Sequence, residues 1–355
     1  MFFDRELRNP SGCGVVGVMN QKGESFSGEL ILNSICCMRE RGNGLGSGFA
    51  GYGIYPEFKD YWCFHIMYYT ESAKCVVEDY LKSNFIIVYH EPISVKKVNV
   101  VENVPLLWRY FISFRESESV EEDIVHSVMK INRKIDGACI FSSGKNMGIF
   151  KGVGDPEVMG EFYKIPEYRG YLWIAHNRFP TNTPGWWGGA HPFGILDWAL
   201  VHNGEISSYG VNKRYLEGFG YYCTFSTDTE VLVYLFDLLV RKHGLSFDVV
   251  ANILSAPFWS QIEKIEDESK KEFLKLLRII YGPALVNGPF AVVIANSHYM
   301  IGLNDRTKLR PLVAAKGGDF LYIASEESAI RAISNGLEKV WMPKAGEPVI
   351  GKVEG

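Results

Sequence analysis

The sequence has no CxxC pair and no regular cysteine spacing; its seven cysteines stand at positions 13, 36, 37, 63, 75, 139 and 223. That pattern excludes a zinc ribbon and a disulfide framework, and it points to a reducing, cytoplasmic compartment with no metal site. A surplus of positive charge is also missing. The 37 Lys and Arg against 41 Asp and Glu leave a formal net charge of −4, so no basic field for nucleic acid is present. The chain lacks long apolar runs: VLVYLFDLLV is broken by Asp237, and no membrane span is expected. The first residues carry Asp4, Arg5, Glu6 and Arg8 without an apolar stretch, which excludes a secretory signal. The glycine-rich GNGLGSGFAGYG lacks the GK[ST] ending of a phosphate loop. Internal repeats and low-complexity linkers are absent.

What is present is a soluble, globular composition. The 355 residues suffice for one large domain or two ordinary ones, and 14% aromatic residues predict a large, well-filled core. CGVVGVM, from Cys13, reads as a short buried strand, and ELILNSICCMRER, Glu29 to Arg41, as a helix ended by Gly42. Between residue 56 and about 141 the order is strand DYWCFHIMYY, helix SAKCVVEDYLKSNF, strands IIVYHEPISV and LLWRYFISF, helix EEDIVHSVMKINRK, and strand ACIFSS. This βαββαβ order suggests a ferredoxin-like module inserted at 56–141; the alternative is a set of extra host elements. Strand-like segments return with GYLWIAHNRF, LDWALVHNGEI, AVVIANSHYMIGL and FLYIAS. Helices are expected after Ser226, from Phe247 to Leu254 and from Ile262 to Ile280, with Thr227 and Glu230 in capping-box spacing. Apolar strands with helices in pairs between them fit an α+β layered sandwich better than alternating βαβ units.

Four short segments draw polar groups to strand ends or turns: Cys13, HNRFPTNT (His176 to Thr183), HNGEI (His202 to Ile206) and STDTE (Ser226 to Glu230). Each has an ordinary structural reading. Arg178 fits a surface ion pair, Asn203-Gly204 a type I′ turn, and Asp228 a first-turn acid on a helix. Cys13 is different. It lies between Gly12 and Gly14, ahead of the apolar run. A thiol nucleophile needs a base, and no His-Asp or His-Asn pair stands out in the sequence. A cysteine's own α-amine, with a pKa of about 7.7–8.0 against about 8.5 for the thiol, can exchange a proton with it near neutral pH. An amide nitrogen cannot. Cys13 works this way only if residues 1–12 are removed, so MFFDRELRNPSG reads as a propeptide cut after Gly12, in a Pro-Ser-Gly run that resists helix and strand formation.

CGVVG, HNRFPTNT, HNGEI and STDTE in this order resemble the class II, N-terminal-nucleophile glutamine amidotransferases. RFPTNTPGWW, AHPF and HNGEI look most similar to the stand-alone glutaminase subunit of glutamate synthase. The resemblance spans 13–55 and roughly 137–355. It implies a four-layer αββα sandwich over 13–355. It also implies Cys13 as nucleophile, Asn203 and the Gly204 N–H as oxyanion hole, and Arg178 and Asp228 as grips for the α-carboxylate and α-ammonium of glutamine. Thr181 and Asn182 would lie near the substrate. GWWGG, Gly185 to Gly189, reads either as a closing lid or as a loop with packed tryptophans. No acceptor-domain motif follows, so the resemblance implies ammonia delivery to a separate glutamate synthase subunit carrying FMN and iron–sulfur centres, with no cofactor in this chain. A stand-alone glutaminase, an amidotransferase for another acceptor, and an unprocessed regulatory or binding protein remain alternatives.

Overall fold

The computed structural model describes residues 12–115, 118–179 and 185–354. Two antiparallel sheets form its centre. The first has seven strands in the order Lys339–Trp341, Val313–Gly317, Phe320–Ala324, Gly14–Asn20, Leu172–Asn177, Ser47–Tyr52 and Met147–Gly152. The second has five: Phe193–Ile195, Trp198–Gly204, Phe290–Ala295, Tyr299–Asn304 and Val349–Lys352. The strand Gly14–Asn20 lies mid-sheet and packs on Trp198–Gly204 and Phe290–Ala295 of the other sheet. Helix Glu29–Cys36 covers the outer face of the first sheet, and helix Asp228–Phe236 covers the second. The result is a mixed α/β stack of helix, sheet, sheet and helix.

This layering explains why Gly14–Asn20 is apolar throughout: helices lie on one side, a sheet on the other, and all seven residues are buried. Gly17 sets the sheet spacing, because a Cβ there would stand 2.6 Å from Met300 Sδ and 2.9 Å from Val293 Cγ1.

The chain leaves the first sheet after Ser47–Tyr52 and returns in Met147–Gly152, its direct neighbour with Ser47 opposite Gly152. The intervening residues build a separate antiparallel sheet in the order Ile86–Pro92, Leu106–Ser113, Trp62–Tyr68 and Ala138–Ser142, with helices Glu71–Asn84 and Val120–Lys134 between its strands. This unit docks on the host through ion pairs of Arg241 with Glu122 and Glu121, and through the Arg133 guanidinium over the Tyr222 ring.

Three local expectations change. The first helix stops at Cys36, and Arg39–Arg41 forms a tighter 3₁₀ turn before Gly42. The helix expected over 262–280 starts only at Glu268, because the Asp267 carboxylate accepts the Lys270 N–H at 3.0 Å and caps it there. Thr227 caps its helix by accepting from the Thr229 N–H at 3.3 Å, but Glu230 does not complete a capping box. Its carboxylate accepts the N–H groups of Thr224 and Phe225, both at 2.9 Å, from the preceding loop. Among the described residues no helix is long and apolar enough to cross a membrane.

Candidate active site

Strand pairing brings the first two segments together. Gly14 stands opposite Asn177 and Val15 opposite His176, so Cys13 and Arg178 lie just beyond the paired ends of adjacent strands. The Phe179 N–H donates to the Cys13 sulfur at 3.3 Å, and the sulfur lies 3.8 Å from the Phe179 carbonyl. The Cys13 carbonyl accepts from Arg41 Nε at 3.1 Å, and Arg41 is held in turn by Glu326 at 2.6 Å. Burial pushes the Cys13 thiol pKa up; the Phe179 N–H and the charges of Arg178 and Arg310 oppose that, while Asp228 adds to it. The sulfur's hydrogen bonds among the described residues go to backbone, and none of them supplies a base.

Arg178 is buried and lies close behind Gly46, where a Cβ would come 3.2 Å from Arg178 Cδ. Its backbone N–H donates to the Gly46 carbonyl at 2.9 Å. The neighbouring Asn177 is pinned by two bonds from Nδ2, to the carbonyls of Met38 (2.9 Å) and Arg39 (3.0 Å). The start of the 3₁₀ turn therefore fixes the strand end that carries Arg178.

Asn203 and Gly204 end a strand of the second sheet, opposite Ala291 and Phe290. They are not a type I′ turn; both belong to a regular antiparallel pair. Asn203 is 1% exposed, and among the described residues its Nδ2 has no hydrogen-bond partner. A buried amide donor without an acceptor is costly. Its Oδ1 lies 3.8 Å from the point a Cβ on Gly12 would occupy, so the free donor belongs to a side chain beside the Gly12–Cys13 junction. Gly204 has φ +156°, and a Cβ there would fall 2.1 Å from the Pro289 carbonyl oxygen, so only glycine fits.

Asp228 opens its helix. Its Oδ2 accepts the Ile206 N–H at 3.0 Å, and its Oδ1 faces His202 Nδ1 at 3.4 Å and the Thr229 hydroxyl at 3.4 Å. Burial works to raise its pKa, but His202, the Ile206 N–H and Thr229 outweigh that and hold the carboxyl below the ordinary range. It is thus an anion on the side of the site that also holds Arg178 and Cys13 within electrostatic reach. Thr181 and Asn182 lie outside the described residues, as do residues 1–11.

His176 and His202, which lie in alternating apolar strands of the sequence and read equally well as satisfied core histidines, are joined in the structure by His191. His202 and Asp228 form a His-Asp pair. His176 stacks on His191 with ring centroids 4.1 Å apart, and His191 Nε2 bonds Thr229 Oγ1 at 2.5 Å. Burial lowers the His176 pKa to about 3 and that of His191 well below its ordinary value. These are neutral packing groups behind the site; the signal for them was their place in buried strands. Among the described residues no three His, Cys, Asp or Glu side chains gather as metal ligands.

A half-buried thiol, an amide donor beside it, a guanidinium and a carboxylate can hold a zwitterionic substrate and stabilise an oxyanion on an attacked carbonyl. Residues 99–219 match the family "Glutamine amidotransferases class-II". The chain is 52% identical over 355 residues to an "Uncharacterized protein" of Archaeoglobus fulgidus, covering 98% of this chain and 94% of that one. It is 25% identical to a "Putative glutamine amidotransferase" of Methanothermobacter thermautotrophicus, covering 92% and 95%. Against the glutamine–fructose-6-phosphate aminotransferase of Bacteroides thetaiotaomicron it is 26% identical over 55% of this chain but only 27% of the relative, so it spans about a quarter of that protein's length. Among solved structures, the glutamine phosphoribosylpyrophosphate amidotransferase of B. subtilis aligns with TM-score 0.49 at 17% identity, over 97% of this chain and 48% of that one. The chain belongs to the class II glutamine amidotransferases.

Proposed function

We propose that the chain hydrolyses the side-chain amide of glutamine through Cys13, freed by removal of residues 1–12, and hands the ammonia to an acceptor enzyme. Glutamine lies between Arg178, on its α-carboxylate, and Asp228, on its α-ammonium. The liberated α-amine takes the thiol proton, and the sulfur attacks the amide carbon. The C–S bond forms as the carbonyl electrons move to oxygen, where Asn203 Nδ2 and the Gly204 N–H receive the charge. The amine returns the proton to the leaving nitrogen, the C–N bond breaks and ammonia departs. Water then cleaves the thioester to glutamate and restores the thiol.

The observation that carries this reading is the Asn203 amide, without a hydrogen-bond partner among the described residues, next to the Gly12–Cys13 junction. Purified protein should release glutamate and ammonia from glutamine one for one, and Cys13→Ala should release neither; equal turnover by that variant rejects the reading.

For the acceptor we propose a glutamate synthase catalytic subunit with FMN and iron–sulfur centres. Support comes from the RFPTNTPGWW, AHPF and HNGEI segments. Copurification of a flavin- and iron-containing chain supports it; copurification of a sugar-phosphate-binding chain replaces it. We read the inserted unit as ferredoxin-like, supported by its βαββαβ order and by a sheet in which the first and third strands are central.

A further inference from the structure

The segment from Gly185 to His191 is held from several sides by groups the proposed chemistry does not use. Lys151, on the edge strand Met147–Gly152, is fully buried, and its Nζ donates to the Gly188 carbonyl at 3.0 Å. The ammonium lies 3.9 Å from the Phe193 ring centroid and 5.2 Å from that of Phe225. The Gly188 N–H meets the Tyr69 hydroxyl. Trp187 Nε1 donates to the Glu102 carbonyl at 3.4 Å. Tyr69 and Glu102 belong to the inserted unit, and together with Trp186 and Trp187 they line a cavity of about 450 Å³.

The same segment backs the substrate end of the site. A Cβ on Gly46 would touch Arg178 Cδ at 3.2 Å and Ala190 Cβ at 3.4 Å, so Ala190 and Arg178 press on one glycine. Trp186 stacks on Phe225, three residues before Asp228, at 6.0 Å. His191 reaches Thr229, the residue after Asp228. Burying a lysine is expensive, and a methionine would fill the same volume without that cost. The titratable groups facing Lys151 are Cys139 from the inserted sheet, Glu230, Arg178 and His191. None of them is within ion-pair distance of it among the described residues, so its defined bond is the one to the loop.

We propose that Lys151 is a positioning residue, latching the 185–191 segment together with Tyr69 and Glu102 of the inserted unit so that Arg178 is held for the substrate carboxylate. This rests on the glutaminase reading above. It assigns the inserted unit a task in the host's chemistry: it supplies the outer anchor of the loop.

The test uses the full protein with Lys151→Met and Tyr69→Phe, read by glutaminase kinetics and by amide hydrogen exchange at Gly188 to Ala190. Both variants should exchange faster in that segment. Lys151→Met should raise the KM for glutamine roughly tenfold, the equivalent of one lost charge-assisted hydrogen bond, and Tyr69→Phe, which loses a neutral one, about threefold, each with kcat within about twofold. Unchanged exchange in both variants overturns the latch. Faster exchange with unchanged KM overturns the link to Arg178. Should Lys151→Met fail to fold, Tyr69→Phe, at a half-exposed position, decides by the same criteria. A wild-type protein without glutaminase turnover sinks the site reading instead, and the exchange data still judge the latch.

Discussion

The Phe179 N–H donates to the Cys13 sulfur across 3.3 Å, and Phe179 directly follows Arg178. The sulfur and the guanidinium are therefore in fixed register, set by the pairing of Gly14 with Asn177. A slip of one residue would turn every side chain of that strand to its other face. Cys13 and Arg178 are thus fixed together by a backbone ladder.

Asn203→Ala should lower kcat for glutamine hydrolysis roughly 10²–10³-fold, the usual loss for an oxyanion donor. Because Nδ2 bonds nothing among the described residues, the urea midpoint should hardly move. A loss smaller than about threefold would remove Asn203 from the oxyanion hole.

Arg178→Lys should act mainly on binding. A lysine keeps the charge but loses the planar fork that meets a carboxylate with two bonds. We expect a raised KM for glutamine with kcat much less affected, measured by steady-state kinetics. An unchanged KM contradicts the carboxylate role.

Gly204→Ala should destabilise the fold as well as the site. The added methyl would fall 2.1 Å from the Pro289 carbonyl oxygen and 2.7 Å from His202 Nε2, so the strand end must shift. The expected cost is about 2 kcal/mol or more, read from chemical denaturation. A variant with wild-type stability and turnover would show that the strand end yields freely.

Acid should unfold the protein early. Burial holds His65 and His176 at pKa values of about 3, and His191 well below its ordinary value. Between pH 6.5 and about 3 these histidines are neutral when folded and charged when unfolded, so unfolding takes up protons and stability falls with pH. Glu230, raised to about 7 by burial, acts oppositely between about 4.5 and 7, because it is protonated when folded and ionised when unfolded. Three histidines against one carboxyl leave a net uptake of about two protons, or roughly 2.7 kcal/mol lost per pH unit near pH 5.5. Denaturation midpoints that stay flat from pH 7 to 5 contradict this.

Much of the architecture was legible because layered burial writes itself into strands. GVVGVM could be read as buried on both faces, and the order of strands and helices between 62 and 142 followed from its periodicity. The segments carrying Cys13, Arg178, Asn203 and Asp228 were visible as polar interruptions of apolar runs. The His202–Asp228 pair was not, since it joins a strand of the second sheet to the helix packed on it and depends on how they pack. Glu230 misled: its spacing from Thr227 fits a capping box, but the loop before the helix offers it two N–H groups. Lys151 left a signal that was missed. It shares a strand face with Met147 and Ile149, both buried, so alternation alone puts its ammonium inside.

The central claim is that the α-amine of Cys13 is free and serves its own sulfur. The most direct measurement is the intact mass of catalytically active, natively purified protein before and after treatment with a glutamine-analogue electrophile. The account predicts a chain beginning at Cys13 that gains one adduct on that residue and loses glutaminase activity in proportion. Active protein that retains residues 1–12, or an adduct on another cysteine, would contradict it.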